Sequence, residues 1–177
     1  MRVAVFGGSF NPPHVGHAMV AAWLRWADRV DEVWLLPAFR HAFDKSLAPF
    51  DVRVRACEAL STVLGVGFRV ETIESTLPTP SYTVRTLDAL AARHPEHRFR
   101  FVVGADVLPQ LPQWREWARV AEQYAPIVVG RGAVAVDGAP TFPEVSSTEV
   151  RRRIAAGEPV DHLVPAAVLA AVGDAWR

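Results

Sequence analysis

Two patterns of hydrophobic and polar positions take turns along this chain. Short, mainly apolar runs at Val3 to Phe6, Val33 to Leu36, Phe99 to Val103 and Ile127 to Val129 read as buried strands, and Phe68 to Ile73 alternates as a further strand would. Between them lie longer stretches with helical spacing. His14 to Arg29 carries Val20, Leu24 and Ala27 on one face, and Asp51 to Leu64, with Asp51 as N-cap, carries Val54, Cys57, Ala59 and Leu60. A helix from Tyr82 to Arg93 is expected behind a Ser81 cap. Leu108 to Tyr124 should be helical in two pieces, with Pro109 and Pro112 near its start and Trp114 at the break. Ser146 and Glu149 form a capping box for a helix that runs to about Ala156 and stops at Gly157, and a last helix spans Pro165 to Ala175 with proline at N1.

The remaining segments are loops. Ala38 to Pro49 has no period, Leu77 to Ser81 holds two prolines, and Ala133 to Pro143 is rich in turn residues. A loop as long as the first of these, inside a compact domain, is usually functional. Strand and helix alternate throughout, which predicts an α/β fold: a doubly wound, mostly parallel, Rossmann-like sheet of five to six strands with helices on both faces. A length of 177 residues suits a single domain over 1–177, in which 146–177 acts as a closing subdomain.

Charge narrows the chemistry. Lys plus Arg equals Asp plus Glu at 19 each, so the chain lacks the basic surplus of a general nucleic-acid binder, and a small anionic ligand held by local cations fits better. Cys57 stands alone, which excludes an internal disulfide and points to a reducing compartment. With no signal-like or membrane-spanning run, a cytoplasmic location is expected. Lys45 is the single lysine in a chain that otherwise uses arginine, which marks a position where a compact ammonium is wanted.

The segment Gly7-Gly8-Ser9-Phe10-Asn11-Pro12-Pro13-His14-Val15-Gly16-His17 joins the first strand to the first helix. Its glycines let the backbone approach a ligand, its prolines stiffen it, and His14 and His17 leave the first helical turn on one side, beside free N–H groups and the positive end of the dipole. This describes a phosphate cradle. Neither the dinucleotide fingerprint nor the P-loop spacing is present. A second anion site is expected where Ser147, Thr148 and Arg151 share a face at the start of the Ser146-capped helix.

Gly7 to His17 resembles the H-x-G-H signature of a nucleotidyltransferase superfamily, and Ser146-Ser147-Thr148-Glu149-Val150-Arg151 is similar to the S-S-T-x-[IV]-R motif that accompanies it. Pro80-Ser81-Tyr82-Thr83, Gly104-Ala105-Asp106 and Leu111-Pro112-Gln113-Trp114 are similar to segments of bacterial nicotinate mononucleotide adenylyltransferases, and Leu163-Val164-Pro165 echoes that family's end. The resemblance implies adenylyl transfer from ATP to nicotinate mononucleotide, with Mg²⁺ carried by the ATP phosphates and no nucleic acid or membrane partner, in a monomer or homodimer.

By the same resemblance, His14, His17, Lys45 and Arg151 are the catalytic cations. The backbone N–H groups of Ser9 and Phe10 hold the α-phosphate, with Gly7, Gly8 and Gly16 in the same ATP site, while Gly104 and Asp106 meet the adenosine, Asp106 on the ribose, and the backbone around Arg131 borders the adenine. Ser146, Ser147 and Thr148 complete the ATP site. Tyr82, Thr83 and Trp114 line the pyridine-nucleotide pocket together with His41, which can also share the role of Lys45. The chain departs from the family around Lys45, at Arg85 and at Arg131-Gly132, all of which touch the acceptor side. Nicotinamide mononucleotide as acceptor, or a catalytically silent nucleotide binder on the same fold, are the alternatives.

Overall fold

The computed structural model describes residues 1–27, 30–40, 47–173 and 175–176. Six strands form one sheet in the order β3-β2-β1-β4-β5-β6: β1 (Arg2–Gly8), β2 (Glu32–Pro37), β3 (Phe68–Val70), β4 (Arg98–Gly104), β5 (Ile127–Arg131) and β6 (Thr141–Phe142). Every pairing is parallel. The helices are α1 (Val15–Trp26), α2 (Phe50–Leu64), α3 (Thr83–Arg93), α4 (Trp117–Tyr124), α5 (Ser147–Ala155) and α6 (Ala166–Val172).

Strand periodicity divides the core between the two faces of the sheet. Ala4, Val33, Leu35, Val102, Ile127 and Val129 pack with Val20 and Leu24 of α1, Ala56 and Leu60 of α2, Val150 of α5 and Val168 of α6. Their neighbours Val3, Val5, Trp34, Phe99, Phe101 and Val103 face the other way, onto Val84, Leu87 and Leu90 of α3 and Val120 of α4. Both faces are covered, which is why the strands read as nearly unbroken apolar runs rather than as alternation. The strand order reverses between β1 and β4, and in open parallel sheets ligands bind at such a switch, beyond the carboxyl ends of the strands.

Several local expectations are corrected. The strand expected over Phe68 to Ile73 ends at Val70, because the Glu71 carboxylate accepts the Thr72 and Ile73 N–H groups at 2.9 Å each and so caps a 3₁₀ turn over Ile73–Thr76. Asp51 is not the cap of α2. Pro49 takes that position, while Asp51 lies in the first turn and receives Arg55 Nη1 at 2.7 Å, one turn on. The buried face of α2 is Val52, Arg53, Ala56, Cys57 and Leu60, one step out of phase with the expected Val54.

Tyr82, not Ser81, is the N-cap of α3, and Pro165 is the N-cap rather than the first residue of α6. His14 likewise caps α1 instead of opening it. The two-piece stretch before β5 is a 3₁₀ segment, Ala105–Gln113, containing both prolines, followed by α4. The turn-rich stretch after β5 contributes the sixth strand, two residues long, at the sheet edge.

Candidate functional site

The loop between β1 and α1 is held from below and from the side. Arg53 is 1% exposed, and its guanidinium donates through Nε to the Ala48 carbonyl at 2.9 Å and through Nη1 to the Ser9 carbonyl at 3.0 Å. Since a trans peptide points its C=O and the following N–H in opposite directions, drawing the Ser9 carbonyl toward Arg53 turns the Phe10 N–H away from it. Phe10 is in the left-handed region (φ 45°), and its ring is buried. Buried Asn11 ties the loop sideways: its Oδ1 accepts Ala48 N–H at 3.2 Å and Trp176 Nε1–H at 2.7 Å.

At the mouth of α1 the His14 N–H donates to His17 Nδ1 at 3.2 Å, and the two rings lie 3.9 Å apart at 35°. With Nδ1 accepting, the neutral His17 ring carries its proton on Nε2. Burial, with the Arg131 charge adding to it, lowers the His14 pKa to about 4. Burial, then His14 and Arg131, hold His17 well below its ordinary value. The expected pair of cations is therefore a pair of neutral imidazoles before any phosphate arrives, chiefly because burial disfavours the charged ring, with the nearby Arg131 charge adding to it.

The distant motif docks directly on this loop. Arg151 Nη1 donates to the Asn11 carbonyl at 2.6 Å, Ser147 Oγ donates to the Pro12 carbonyl at 2.8 Å, and Ser146 Oγ caps α5 by accepting Glu149 N–H at 3.1 Å. Arg151 Nη2 also reaches Thr148 Oγ1 at 3.4 Å. A Cβ on Gly16 would lie 3.0 Å from the His14 ring and 3.5 Å from Val145 Cβ, so the two segments meet at glycine.

Arg131, expected to contribute its backbone, sends its side chain across the site. Nη1 pairs with Asp106 Oδ2 at 3.0 Å and Nη2 with the Val145 carbonyl at 2.9 Å. A Cβ on Gly104 would collide with Asp106 Oδ1, so only glycine leaves that carboxylate its place.

A cleft of about 280 Å³ opens beside Gly7 and Gly8 and is lined by Tyr82, Thr83, Trp114 and Arg115 among others. Trp114 stands edge-on to Phe101 at 6.1 Å, and its Nε1–H is buried without a protein partner. Arg85 and Arg115 each place their guanidinium carbon 5.1 Å from the Tyr82 ring centre.

Two residues of the cleft region escaped the sequence reading. Glu74, buried in the 3₁₀ turn, accepts Phe39 N–H at 2.9 Å and Thr86 Oγ1–H at 3.0 Å and so anchors the start of the long loop. Arg53 is the other. Its signal was present, since 53, 56, 57 and 60 form one helical stripe in which an arginine occupies an apolar position. His41 and Lys45 lie outside the described residues.

Residues 5–153 match the cytidylyltransferase-like family. A protein of Anaeromyxobacter dehalogenans strain 2CP-C, named a probable nicotinate-nucleotide adenylyltransferase, is 51% identical over 172 residues, covering 95% of this chain and 91% of its own. A protein of the same name from Myxococcus xanthus is 40% identical, covering 96% of this chain and 90% of its own. The chain belongs to the nicotinate-nucleotide adenylyltransferase family. The fold agrees: the Plasmodium falciparum nicotinic acid mononucleotide adenylyltransferase complexed with NaAD superposes with a TM-score of 0.78 at 20% identity, over 97% of this chain and 94% of that one. The loops just described converge at the switch between β1 and β4.

Proposed function

We propose that this chain transfers the adenylyl group of ATP to nicotinate mononucleotide, releasing pyrophosphate and forming nicotinate adenine dinucleotide. The observation that carries the reading is the meeting of two distant motifs. Arg151 and Ser147 hold the Asn11 and Pro12 carbonyls two to three residues before the stacked imidazoles, next to a cleft lined by Trp114.

In-line attack of the mononucleotide phosphate on the α-phosphorus needs positioning and hydrogen-bond donors placed where charge develops. The His17 Nε2–H and the Phe10 N–H supply donors for the α-phosphate oxygens, and the opposite charge of a bound triphosphate raises the imidazole pKa toward protonation as the transition state forms. His14 supports His17. Gly7, Gly8, Ser9 and Gly16 allow the close approach, and Ser146, Ser147 and Thr148 with Arg151 and Lys45 face the β- and γ-phosphates. Gly104 and Asp106 meet the adenosine and the Arg131 backbone borders the adenine, so Asp106 exchanges its arginine partner for ribose hydroxyls. Trp114 stacks on the pyridine ring between Tyr82 and Thr83, and the family resemblance adds His41 to the pyridine-nucleotide residues. The closing of residues 146–177 over the triphosphate belongs to this reading.

Among the described residues, the grouping of metal-capable side chains lies elsewhere in the fold, so Mg²⁺ enters with the ATP phosphates as part of the substrate and no step is assigned to it. Nicotinate is favoured over nicotinamide because Arg115 and Arg85 flank Tyr82 and the amino end of α3 carries no acidic residue in its first turn, which together suit a carboxylate. As to location, none of the described helices is long and apolar enough to cross a membrane.

Pyrophosphate release with ATP and each mononucleotide in turn tests the reading. Turnover with nicotinate mononucleotide, a lower kcat/KM with the nicotinamide form, and a loss of roughly 10²–10⁴-fold in kcat for His17→Ala are expected. Absence of turnover with both acceptors, despite ATP binding, would make the chain a silent nucleotide binder.

A further inference from the structure

At the opposite end of the strands, the turn between α3 and β4 brings together His94, Glu96 and His97. Pro95 sits inside the turn, and the His97 N–H donates to the His94 carbonyl at 3.0 Å, closing it. The turn is also tied to β1: the Met1 amino group donates to the Glu96 carbonyl at 3.4 Å, and Arg98 N–H to the Met1 carbonyl at 2.8 Å. The seven residues of β4 separate this turn from Gly104. At ~3.3 Å per residue that is roughly 20 Å from the nucleotide end of the sheet.

Three features mark the cluster as a binding site rather than a surface turn. The His97 side chain is 10% exposed, and its buried Nδ1 has no hydrogen-bond partner. Glu96 Oε1 stands 3.3 Å from that Nδ1 and 3.7 Å from the His94 Nδ1, and all three donor atoms fall within 4.8 Å of one another. The two rings stack at 5.5 Å and 9°, each edge-on to buried Trp34 at 5.2 and 5.7 Å, so the packing limits their rotation.

The Glu96 oxygen faces both Nδ1 atoms, and one cation placed between them satisfies all three atoms at once. A tetrahedral Zn²⁺ with ligands at about 2.0–2.1 Å separates its donors by about 3.3–3.4 Å. The two carboxylate-to-imidazole distances already approach that value, and a small rotation of His94, the more exposed ring, brings the third edge in. We propose that His94, Glu96 and His97 bind one Zn²⁺ through two imidazole nitrogens and one carboxylate oxygen, with water in the fourth position, as a site separate from the nucleotide cleft. Two imidazoles and one carboxylate are a donor set that suits zinc better than Mg²⁺ or Ca²⁺, which prefer all-oxygen shells. Its effect is to pin the α3–β4 turn.

The experiment is titration of the full chain, free of any histidine tag and in phosphate-free buffer, with ZnCl₂ by calorimetry and with CoCl₂ by visible absorption. The expected result is one ion per chain, intense four-coordinate Co²⁺ bands that Zn²⁺ displaces, and a rise in Tm on adding Zn²⁺. His94→Gln together with His97→Gln weakens Zn²⁺ binding at least tenfold and abolishes the Co²⁺ bands while pyrophosphate release is kept; His14→Gln with His17→Gln leaves metal binding intact. Unchanged zinc affinity in the His94/His97 variant overturns the proposal. Wild-type protein that shows no four-coordinate Co²⁺ spectrum overturns it without any variant.

Discussion

Replacing Arg53 with methionine tests whether a buried cation sets the direction of the Ser9–Phe10 peptide, which the proposed function puts against the α-phosphate. Methionine keeps the length and the apolar stem but removes the hydrogen bonds to the Ala48 and Ser9 carbonyls. Each bond from a charged donor contributes about 1.5–3 kcal/mol. Removing a charge that burial disfavours, as the lowered Arg53 pKa shows, offsets part of this loss. A net destabilisation of about 2–4 kcal/mol remains, which for a chain of this size lowers Tm by roughly 4–16 °C.

The catalytic consequence is larger. Released from Arg53, the Ser9–Phe10 peptide can rotate and the Phe10 N–H no longer holds its direction; losing one preorganised donor to a developing oxyanion costs about 10²–10³ in kcat. Circular dichroism melting and steady-state pyrophosphate release, at temperatures where both proteins are folded, separate the two effects. Arg53→Lys, which keeps the charge but not the fork, should fall between. A folded methionine variant with wild-type kcat and KM for ATP would refute the argument, since the loop would then hold its shape without Arg53.

Three further outcomes follow from the same geometry. Trp114→Ala should raise KM for the pyridine nucleotide more than for ATP in steady-state assays; equal effects on both would reduce Trp114 to packing against Phe101. Gly16→Ala adds a helix-favouring residue worth up to about 1 kcal/mol but presses on the His14 ring from 3.0 Å, so Tm should hold or rise while kcat falls at least tenfold, and an unimpaired kcat would show that the ring tolerates displacement. His14 is neutral in the folded state down to about pH 4, whereas its unfolded value is 6.5, so its contribution is present above pH 6.5 and is lost as pH falls toward 4. Urea melts at pH 7.5 and 5.5 should show wild type losing about 1.4 kcal/mol more than His14→Gln across that interval; equal losses would mean the ring is not held neutral.

Much of this fold was legible because its strands are short apolar runs and its helices carry one apolar stripe, patterns set by burial alone. What escaped was decided by side chains competing for backbone groups. Nothing in the spacing of Phe68 to Ile73 says that the Glu71 carboxylate will take two N–H groups and end the strand, and Asp51 reads as a cap until Arg55 claims it. β6 is held by only two register pairs at the sheet edge, too short to leave a period. At the site, the motifs point to residues, and the structure adds the partners that the motifs do not carry. The family resemblance gives Arg131 a backbone role only, and its side-chain pairing with Asp106 depends on the 3₁₀ turn that follows Gly104.

That pairing is one of the contacts that hold the site's arginines in place. Arg131 faces Asp106 and the Val145 carbonyl, and its charge helps to keep both imidazoles unprotonated. Arg151 and Ser147 meanwhile rest on backbone carbonyls of the signature loop. Arg151 is thus held by a backbone carbonyl, which binds a guanidinium less strongly than a phosphate does, whereas Arg131 is held by the Asp106 carboxylate together with a carbonyl. On the proposed reading, a bound triphosphate raises the imidazole pKa values and turns neutral donors into stronger ones, which would couple ATP binding to the assembly of the reactive site.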